Sequence, residues 1–491
     1  MKTTNKNKLI ILLILVAQFG FATNSIEKPK PKKKPNIIMI LADDLGFTDL
    51  GFTGSDLYLT PNIDRLAKEG MYFSNAYSSH PTCQPSRLAL QTGKYPARIG
   101  CVSHAALGGV SGGPLEIPKG EVTIGEALKM DDYTTCHIGK WHIGMGDNAP
   151  GKRGYDYDIA SNDFCCPATY FYPYSDPNHR RNNLAAVPDL EDYPVTTILG
   201  EAVSNEAAKF IESQKNKEKP FFLNMAYYDV HTPIEAQKEK VDKYKKRLKP
   251  GLMHKNPTYA AMVENLDEGV GKILATLEKN GMLENTIVIF MSDNGGEADL
   301  GITTNGKLRD GKGYAYEGGV RVPLIVRWPG QVKPNTVNNQ RVIGFDLYPT
   351  ILKMADAKGD KKHNKNVDGL DLTPLLKNPN YKLPNRKLHF LNFLSLVHYK
   401  LPISHRNRCF ESVMKDDWKL IEFFDMGADL VHYYELYNLK EDPSEKNNLA
   451  QSMPTKVEEL KKSIARWNKE VNAPPYDYEK FYGNAKSIKN D

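Results

Sequence analysis

The sequence is poor in cysteine and tryptophan and lacks several features that define special classes of protein. It has six cysteines and four tryptophans in 491 residues, and no cysteine and histidine cluster has the spacing of a zinc site. It contains no internal repeat, no low-complexity tract and nothing that resembles a nucleic-acid-binding module. With 40% hydrophobic and 25% charged residues, the composition is ordinary for a globular protein with one large domain and a smaller one.

The chain also lacks an apolar run long enough to form a transmembrane helix of the usual length. Its N-terminal apolar run, residues 9–16, follows three lysines in residues 2–8 and precedes a small-residue cleavage site at residues 20–22. This order predicts a signal peptide over residues 1–22 and a periplasmic or secreted protein, with an uncleaved anchor as the alternative. No cysteine lies near the apolar run, so a lipid anchor is not indicated.

Net charge and cysteine spacing carry less information. The formal net charge is +6, and removal of the three signal-peptide lysines lowers it to +3. Lysines alternate with prolines over residues 28–34, which predicts an extended basic linker over residues 23–35. An exported protein can form disulfides, but their pairing cannot be deduced here, and we expect no bond between the adjacent Cys165 and Cys166.

Two continuous apolar runs, residues 36–42 and 286–292, are typical of strands buried on both faces of a parallel sheet. Ligands bind beyond the carboxyl ends of such strands. The polar residues that follow the two runs are Asp43, Asp44, Asp293 and Asn294. Three carboxylates and an amide at one sheet edge suit a hard cation, Ca²⁺ or Mg²⁺, whereas solvated loop acids are the alternative reading.

The remaining pattern predicts an α/β fold in two parts. A large mixed, mostly parallel sheet flanked by helices is expected over residues 36–382, including a long core helix over residues 259–280. Past about residue 383 the pattern changes to short alternating strands and a closing helix over residues 457–471. We therefore predict a smaller C-terminal α+β subdomain with an antiparallel sheet over residues 383–491.

A loop and short helix over residues 79–93 hold the clearest chemical signal. Cys83 lies just before the helix N-terminus, where free N–H groups and the helix dipole favour an anion. Arg87, one turn later, adds donors suited to a tetrahedral oxyanion. A cysteine in such a place is a candidate reactive group, and a buried structural cysteine is the alternative.

Further candidates follow other predicted strands. Lys140 and His142 are two residues apart, so both project to one side if the chain stays extended. His231 follows the apolar run of residues 220–228. Basic residues that could meet an anionic saccharide, or could equally belong to solvated turns, are His179, Arg180, Arg181, His405 and Arg406.

These stretches resemble the signatures of the type I sulfatases. The first signature is Cys83-x-Pro85-Ser86-Arg87 followed by Leu88-x-x-Gln91-Thr92-Gly93, and the others are Gly139-Lys140-Trp141-His142, His231-x-Pro233 and a Gly311-Lys312 pair before Glu317-Gly318-Gly319. The resemblance implies an α/β fold of the alkaline phosphatase type, hydrolysis of sulfate esters, and maturation of Cys83 to formylglycine by a generating enzyme.

The resemblance also implies a role for each matching residue. The hydrated aldehyde at Cys83 would attack sulfur. His231, alone or together with Lys312, would protonate the departing oxygen, and His142 would take the proton whose loss restores the aldehyde. The implied metal ligands are Asp43, Asp44, Asp293, Asn294 and the modified Cys83. The implied charge-stabilising residues are Arg87, Lys140 and Lys312, with Lys307 as a weaker alternative to Lys312.

Three other readings of the same residues remain open. The first is a phosphodiesterase or phosphonate hydrolase with the same metal and nucleophile geometry. The second is a non-catalytic protein that binds sulfated glycans, should Cys83 stay unmodified. The third is a sulfatase of small metabolites. The predicted export and the resemblance to bacterial polysaccharide sulfatases favour a carbohydrate, and we expect exo-action on oligosaccharides from a sulfated polysaccharide, with algae as one source.

Overall fold

The computed structural model describes most of the chain outside its two ends. The described residues are 33–102, 116–177, 185–393, 409–424 and 432–475. The predicted signal peptide, residues 1–22, and residues 23–32 of the predicted linker lie outside them. Among the described helices, none combines the length and the apolar character that crossing a membrane requires.

The strands form one large sheet, a short pair and a C-terminal sheet. Their bounds are β1 Asn36–Ala42, β2 Met71–Phe73, β3 Ala76–Tyr77, β4 Thr134–Lys140, β5 Tyr157–Asn162, β6 Phe221–Ala226, β7 Thr286–Ser292, β8 Leu324–Arg327, β9 Thr336–Asn338, β10 Val342–Ile343, β11 Leu388–Asn392, β12 Phe410–Lys415, β13 Trp418–Phe423 and β14 Tyr433–Asn438. The large sheet has the order β5-β4-β6-β1-β7-β8-β2-β9, and β3 pairs with β10. Strands β5, β4, β6, β1 and β7 are parallel, while β8 runs antiparallel to both of its neighbours.

Helices cover both faces of the large sheet. Their bounds are α1 Pro61–Glu69, α2 Cys83–Thr92, α3 Ile124–Lys129, α4 Leu199–Ser213, α5 Lys238–Arg247, α6 Pro257–Lys279, α7 Glu317–Val320, α8 Leu347–Met354, α9 Lys361–Asn364, α10 Thr373–Lys377 and α11 Pro454–Val471. Side chains of β1 alternate between two cores. Ile38 and Ile40 pack toward α1, α4 and α6, and Ile37 and Met39 pack toward α2, α3 and α8. A strand buried on both faces has no polar alternation, which explains its continuous apolar sequence.

The C-terminal strands β11 to β14 form an antiparallel sheet in chain order. Val413, Leu420 and Leu436 on one face pack against Leu460 and Ile464 of α11. The opposite face packs against the rest of the protein through an aromatic core. The predicted fold class, a mostly parallel sheet flanked by helices plus a smaller antiparallel sheet, is confirmed, and the boundary at residue 383 stays a prediction.

Some parts of the sheets have no clear signal in the sequence. Residues 71–77 form two short strands, β2 and β3, and not one. Strand β5 lies at the edge of the large sheet, and its first three residues are exposed or half-buried while its last three are buried. The Sγ atoms of Cys165 and Cys166 are 3.3 Å apart, well beyond the ~2.05 Å of a disulfide bond.

We predict that Lys419→Met destabilises the protein. The ammonium of Lys419, which is inaccessible to solvent, lies 2.8 Å from a carboxylate oxygen of Glu445 and 3.2 Å from one of Glu317. Removing it leaves two buried carboxylates without their cation, so we expect the free energy of unfolding to fall by about 3–5 kcal/mol. Denaturant unfolding measures this loss. The control is Lys415→Met at a solvent-accessible ion pair, and an equal effect of both substitutions would contradict the prediction.

Candidate active site

The strand order brings the predicted site residues to one edge of the large sheet. Strands β4, β6, β1 and β7 are adjacent and parallel, so the residues after their carboxyl ends meet. Backbone hydrogen bonds extend this register past the strands, because Asp293 N donates to Ala42 O and Val230 N donates to Asp43 O. The predicted meeting of the acids with His231 therefore follows from the sheet itself.

Three carboxylates form the centre of the site. Asp43, Asp44 and Asp293 are at most 2% exposed. Three carboxylate oxygens, one from each residue, all lie within 4.8 Å of one another. Burial raises the pKa of Asp43 and of Asp293 above the ordinary value. Burial also opposes ionisation of Asp44, but electrostatic interactions outweigh it, first with the Lys312 ammonium and then with the His231 ring, and they hold the pKa of Asp44 below its usual range.

Three cationic side chains surround the acids. Lys140 Nζ is 2.6 Å from Asp43 Oδ2. Arg87 Nε donates to Asp293 Oδ2 at 2.8 Å, and its guanidinium also lies 3.3 Å from Asp43 Oδ1. Lys312 Nζ is 2.6 Å from Asp44 Oδ2. All three cations are buried, which is tolerable only because each has a carboxylate partner.

The donor set fits a hard divalent cation. Asp43 Oδ1 and Asn294 Oδ1 are buried and have no hydrogen-bond partner among the described residues, as expected of oxygens whose natural partner is a metal ion. Asn294 Nδ2 donates to Asp44 Oδ1 at 2.7 Å, which directs its carbonyl oxygen elsewhere. A cluster of carboxylate and amide oxygens is suited to Ca²⁺ or Mg²⁺.

Cys83 is the first residue of α2 and is completely buried. Its Sγ lies 3.5 Å from Nδ1 of His142. The Cys83 side chain is close enough to Asp43, Asp44 and Lys312 to interact with them electrostatically. It therefore lies among the charged groups of the site. His142 has a left-handed backbone with φ +63°, a conformation that sequence patterns do not reveal and that is common at active sites.

His231 and Lys312 form a proton-sharing pair. Lys312 Nζ is 2.9 Å from His231 Nε2, and His231 Nδ1 lies 2.8 Å from Thr232 O. Burial and then the charge of Lys312 lower the pKa of His231. Burial alone would lower the pKa of Lys312, but the charges of Asp44 and Cys83 raise it. Lys312 therefore carries the proton of this pair. Nε2 of the neutral imidazole accepts a hydrogen bond from Nζ, and its Nδ1–H donates one to the carbonyl oxygen of Thr232.

The other predicted residues have different outcomes. Lys307, the weaker alternative to Lys312, is exposed and lines a separate cavity with Ser444 and Lys446. The proposed saccharide-binding residues His179, Arg180, Arg181, His405 and Arg406 lie outside the described residues.

Two buried acids near the site were not assigned a role from the sequence. Glu297 Oε1 is 3.7 Å from Lys312 Nζ. Asp229, in the segment that follows β6, has neither carboxylate oxygen hydrogen-bonded among the described residues, and burial raises its pKa to about 7. Only their positions in the chain, after β7 and after β6, could have indicated a role for these acids. A single carboxylate in a loop forms no motif with its neighbours in sequence.

Comparison with known proteins agrees with the geometry. Residues 35–357 match the sulfatase family, and residues 309–470 match the family described as N-sulphoglucosamine sulphohydrolase, C-terminal. A sulfatase of Formosa agariphila is 31% identical and covers 95% of this chain and 94% of its own. The N-acetylgalactosamine-6-sulfatase of Mus musculus is 34% identical, and the match covers 74% of this chain and 69% of that protein.

A solved structure extends the likeness to three dimensions. Ps i-CgsB in complex with k-i-k-neocarrahexaose has a TM-score of 0.75 and 31% identity, and the match covers 93% of this chain and 97% of that chain. The fold and the buried acid cluster define a hydrolase with an α/β fold of the alkaline phosphatase type. The chain belongs to the sulfatase family, and it is a sulfuric ester hydrolase.

We predict that Lys312→Met raises the pKa of His231. The substitution removes a positive charge 2.9 Å from Nε2 and leaves Asp44, 3.3 Å away, as the facing charge, so the imidazolium form becomes more favourable. A histidine NMR titration measures the pKa, with His231→Asn to assign the signal. Lys307→Met is the matched control and should leave the pKa unchanged. A pKa of His231 that falls in Lys312→Met would contradict the assignment of the pair.

Proposed function

We propose that this protein removes sulfate groups from a carbohydrate, using an aldehyde formed from Cys83 as nucleophile. The observation that carries the proposal is the position of Cys83 in one buried site with three carboxylates and three cationic side chains. Relatives support the substrate class: one is an N-acetylgalactosamine-6-sulfatase, and Ps i-CgsB was solved with an oligosaccharide.

Two groups beyond the side chains belong to this proposal. Asp43, Asp44, Asp293 and Asn294 would hold Ca²⁺ or Mg²⁺, which would stabilise negative charge on a sulfate oxygen and on the attacking oxygen. Oxidation of Cys83 to formylglycine would supply that attacking oxygen through hydration of the aldehyde. Because Cys83 is completely buried, a generating enzyme would act on the chain before it folds.

The side chains bind the sulfate and move protons. Arg87, Lys140 and Lys312 offer fixed donors for the sulfate oxygens, and their charges are worth more in a buried site than in water. The proton for the departing sugar oxygen would come from Lys312 Nζ, either directly or after transfer to Nε2 of His231, which lies 2.9 Å away. His142, whose Nδ1 is 3.5 Å from the Cys83 side chain, is placed to remove a proton from the oxygen that replaces Sγ.

Burial also bears on the mode of action and on location. Cys83, Lys140 and Asp43 are at most 1% exposed, and side chains buried to this extent favour a substrate that reaches them with one end. We therefore propose exo-action on oligosaccharides from a sulfated polysaccharide, of which algae are one source. Export to the periplasm, or secretion, through the signal peptide of residues 1–22 would bring the enzyme to such substrates.

Desulfation of a panel of defined sulfated oligosaccharides tests the proposal. We expect sulfate release by the wild type and a loss of about 10³-fold or more in kcat/KM for Cys83→Ala. Intact-mass analysis of the peptide containing Cys83 should show an aldehyde in place of the thiol. An unmodified thiol with full activity would refute the mechanism, and binding without turnover would support the non-catalytic alternative. Phosphate monoesters and diesters in the panel test the phosphoesterase alternative.

Calcium binding to chelator-treated protein should release protons. Burial raises the pKa of Asp43 to about 6 and that of Asp293 to about 8, so near neutral pH each carboxyl is protonated in a fraction of the molecules, and a cation must displace those protons. Affinity for Ca²⁺ should therefore increase as the pH rises from about 6 to about 8, because ionised carboxylates become more abundant. Calorimetry in two buffers of different ionisation enthalpy measures the protons. Asp293→Asn should release fewer, and an affinity independent of pH would contradict the prediction.

A further inference from the structure

Asp44 combines several contacts with an unfavourable backbone. Its carboxylate contacts Lys312, His231 and Asn294, so its position fixes three functional groups at once. Its φ of +61° lies in the left-handed region, which residues other than glycine adopt only when their surroundings hold them there. The structure around residues 44–46 must therefore supply that restraint.

Asp49 is the main source of restraint. Its carboxylate is inaccessible to solvent and accepts hydrogen bonds from Gly46 N at 2.7 Å and from the Tyr259 hydroxyl at 2.6 Å. The Thr303 hydroxyl donates to its other oxygen at 2.5 Å. A Cβ at residue 46 would lie 2.7 Å from Asp49 Oδ2, so the close approach requires glycine. These bonds fix the turn that follows Asp44.

Tyr259 connects the same carboxylate to Asp44 directly. It lies in the first turn of α6, whose start is capped by Asn256, and it is buried. Its hydroxyl is 2.6 Å from Asp49 Oδ2 and 3.4 Å from the carbonyl oxygen of Asp44. A rigid helix therefore presents one hydroxyl to both residues.

His254 holds Asp49 from the other side. It is completely buried, with Nε2 3.4 Å from Asp49 Oδ1 and Nδ1 3.0 Å from Asp56 Oδ1. Asp56 also accepts the backbone N–H groups of Met253 and His254. Burial lowers the pKa of His254, but hydrogen bonds and charges from Asp49 and Asp56 outweigh it and raise the pKa. A buried imidazole ring held between two carboxylates fixes the orientation of Asp49.

We propose that Asp49 and Tyr259 are positioning residues for sulfate-ester hydrolysis, which hold Asp44 in its left-handed conformation, and that His254 and Asp56 keep Asp49 in place. The inference rests on the proposed metal role of Asp44. Neither Asp49 nor Tyr259 contacts the reacting atoms. Both act through the backbone of residues 44–46, and thus on the Asp44 carboxylate that faces the metal, Lys312 and His231.

The test is Tyr259→Phe, which removes one hydroxyl and keeps the ring that packs in α6. Titration of chelator-treated protein with Ca²⁺ in a calorimeter should show an affinity about tenfold weaker than that of the wild type. On an oligosaccharide that the wild type desulfates, kcat at saturating Ca²⁺ should fall by a similar factor with little change in KM. The matched control is Tyr174→Phe, which removes a buried hydroxyl bonded to Thr197 O at 3.0 Å and should leave calcium affinity and kcat unchanged.

Asp49→Asn provides a second variant of nearly the same shape. It weakens the acceptor for Gly46 and removes the charge facing His254, so calcium affinity should fall further than in Tyr259→Phe. Should it fail to fold, Tyr259→Phe alone decides. Equal calcium affinity and equal kcat in Tyr259→Phe and wild type would overturn the inference, as would a lower Tm with both values unchanged. Wild-type protein that binds neither Ca²⁺ nor Mg²⁺ in the same titration would instead refute the metal site of the proposed function, and the inference with it.

Discussion

The structure depends on mutual compensation between buried charges at the carboxyl edge of the sheet. Asp43, Asp44 and Asp293 could not be buried together without Arg87, Lys140 and Lys312, because each isolated ion would cost several kcal/mol to desolvate. The formal charges of the three acids and the three bases sum to zero. A divalent cation that takes over the carboxylates would leave excess positive charge and ammonium groups available to an anion. The same compensation that keeps the site folded therefore prepares it for a sulfate ester.

This charge arrangement is possible because the sheet supplies its geometry. The hydrogen bonding of β1 continues toward both neighbours, because Asp43 N donates to Asp229 O on one side and Asp293 N donates to Ala42 O on the other. Strands β6, β1 and β7 therefore place three groups in register: His231, the pair Asp43 and Asp44, and the pair Asp293 and Asn294. Interior strands with apolar side chains on both faces cannot slip without exposing a core, so the spacing of the ligands is fixed by hydrophobic burial far from the ligands themselves.

Sequence patterns predicted the parts of the molecule that depend on local order. The apolar runs of β1 and β7 and the stripe of α6 have a single reading, so strands, helix and the acids behind them could be predicted. Edge strand β5 was not predicted because only half of its residues are apolar, and two of its polar residues, Ser161 and Asn162, are buried. The choice between Lys307 and Lys312 depends on how a loop folds back. The contact of His254 with Asp56 joins residues about 200 positions apart, and neither it nor the left-handed φ of Asp44 leaves a pattern in sequence.

The C-terminal sheet contributes to the site although it supplies none of the charged groups described there. His80 Nε2 in the loop before Cys83 lies 3.1 Å from Leu391 O of β11. Glu445 accepts the N–H of Glu317 at the start of α7, and Lys419 of β13 binds both of these glutamates. The loops that carry Cys83 and Lys312 are thus each held by this sheet. A buried ion group is stable only when all its members are present. We therefore infer that the two parts of the protein fold as one unit, and that loss of the C-terminal sheet would disorder the segments that carry Cys83 and Lys312.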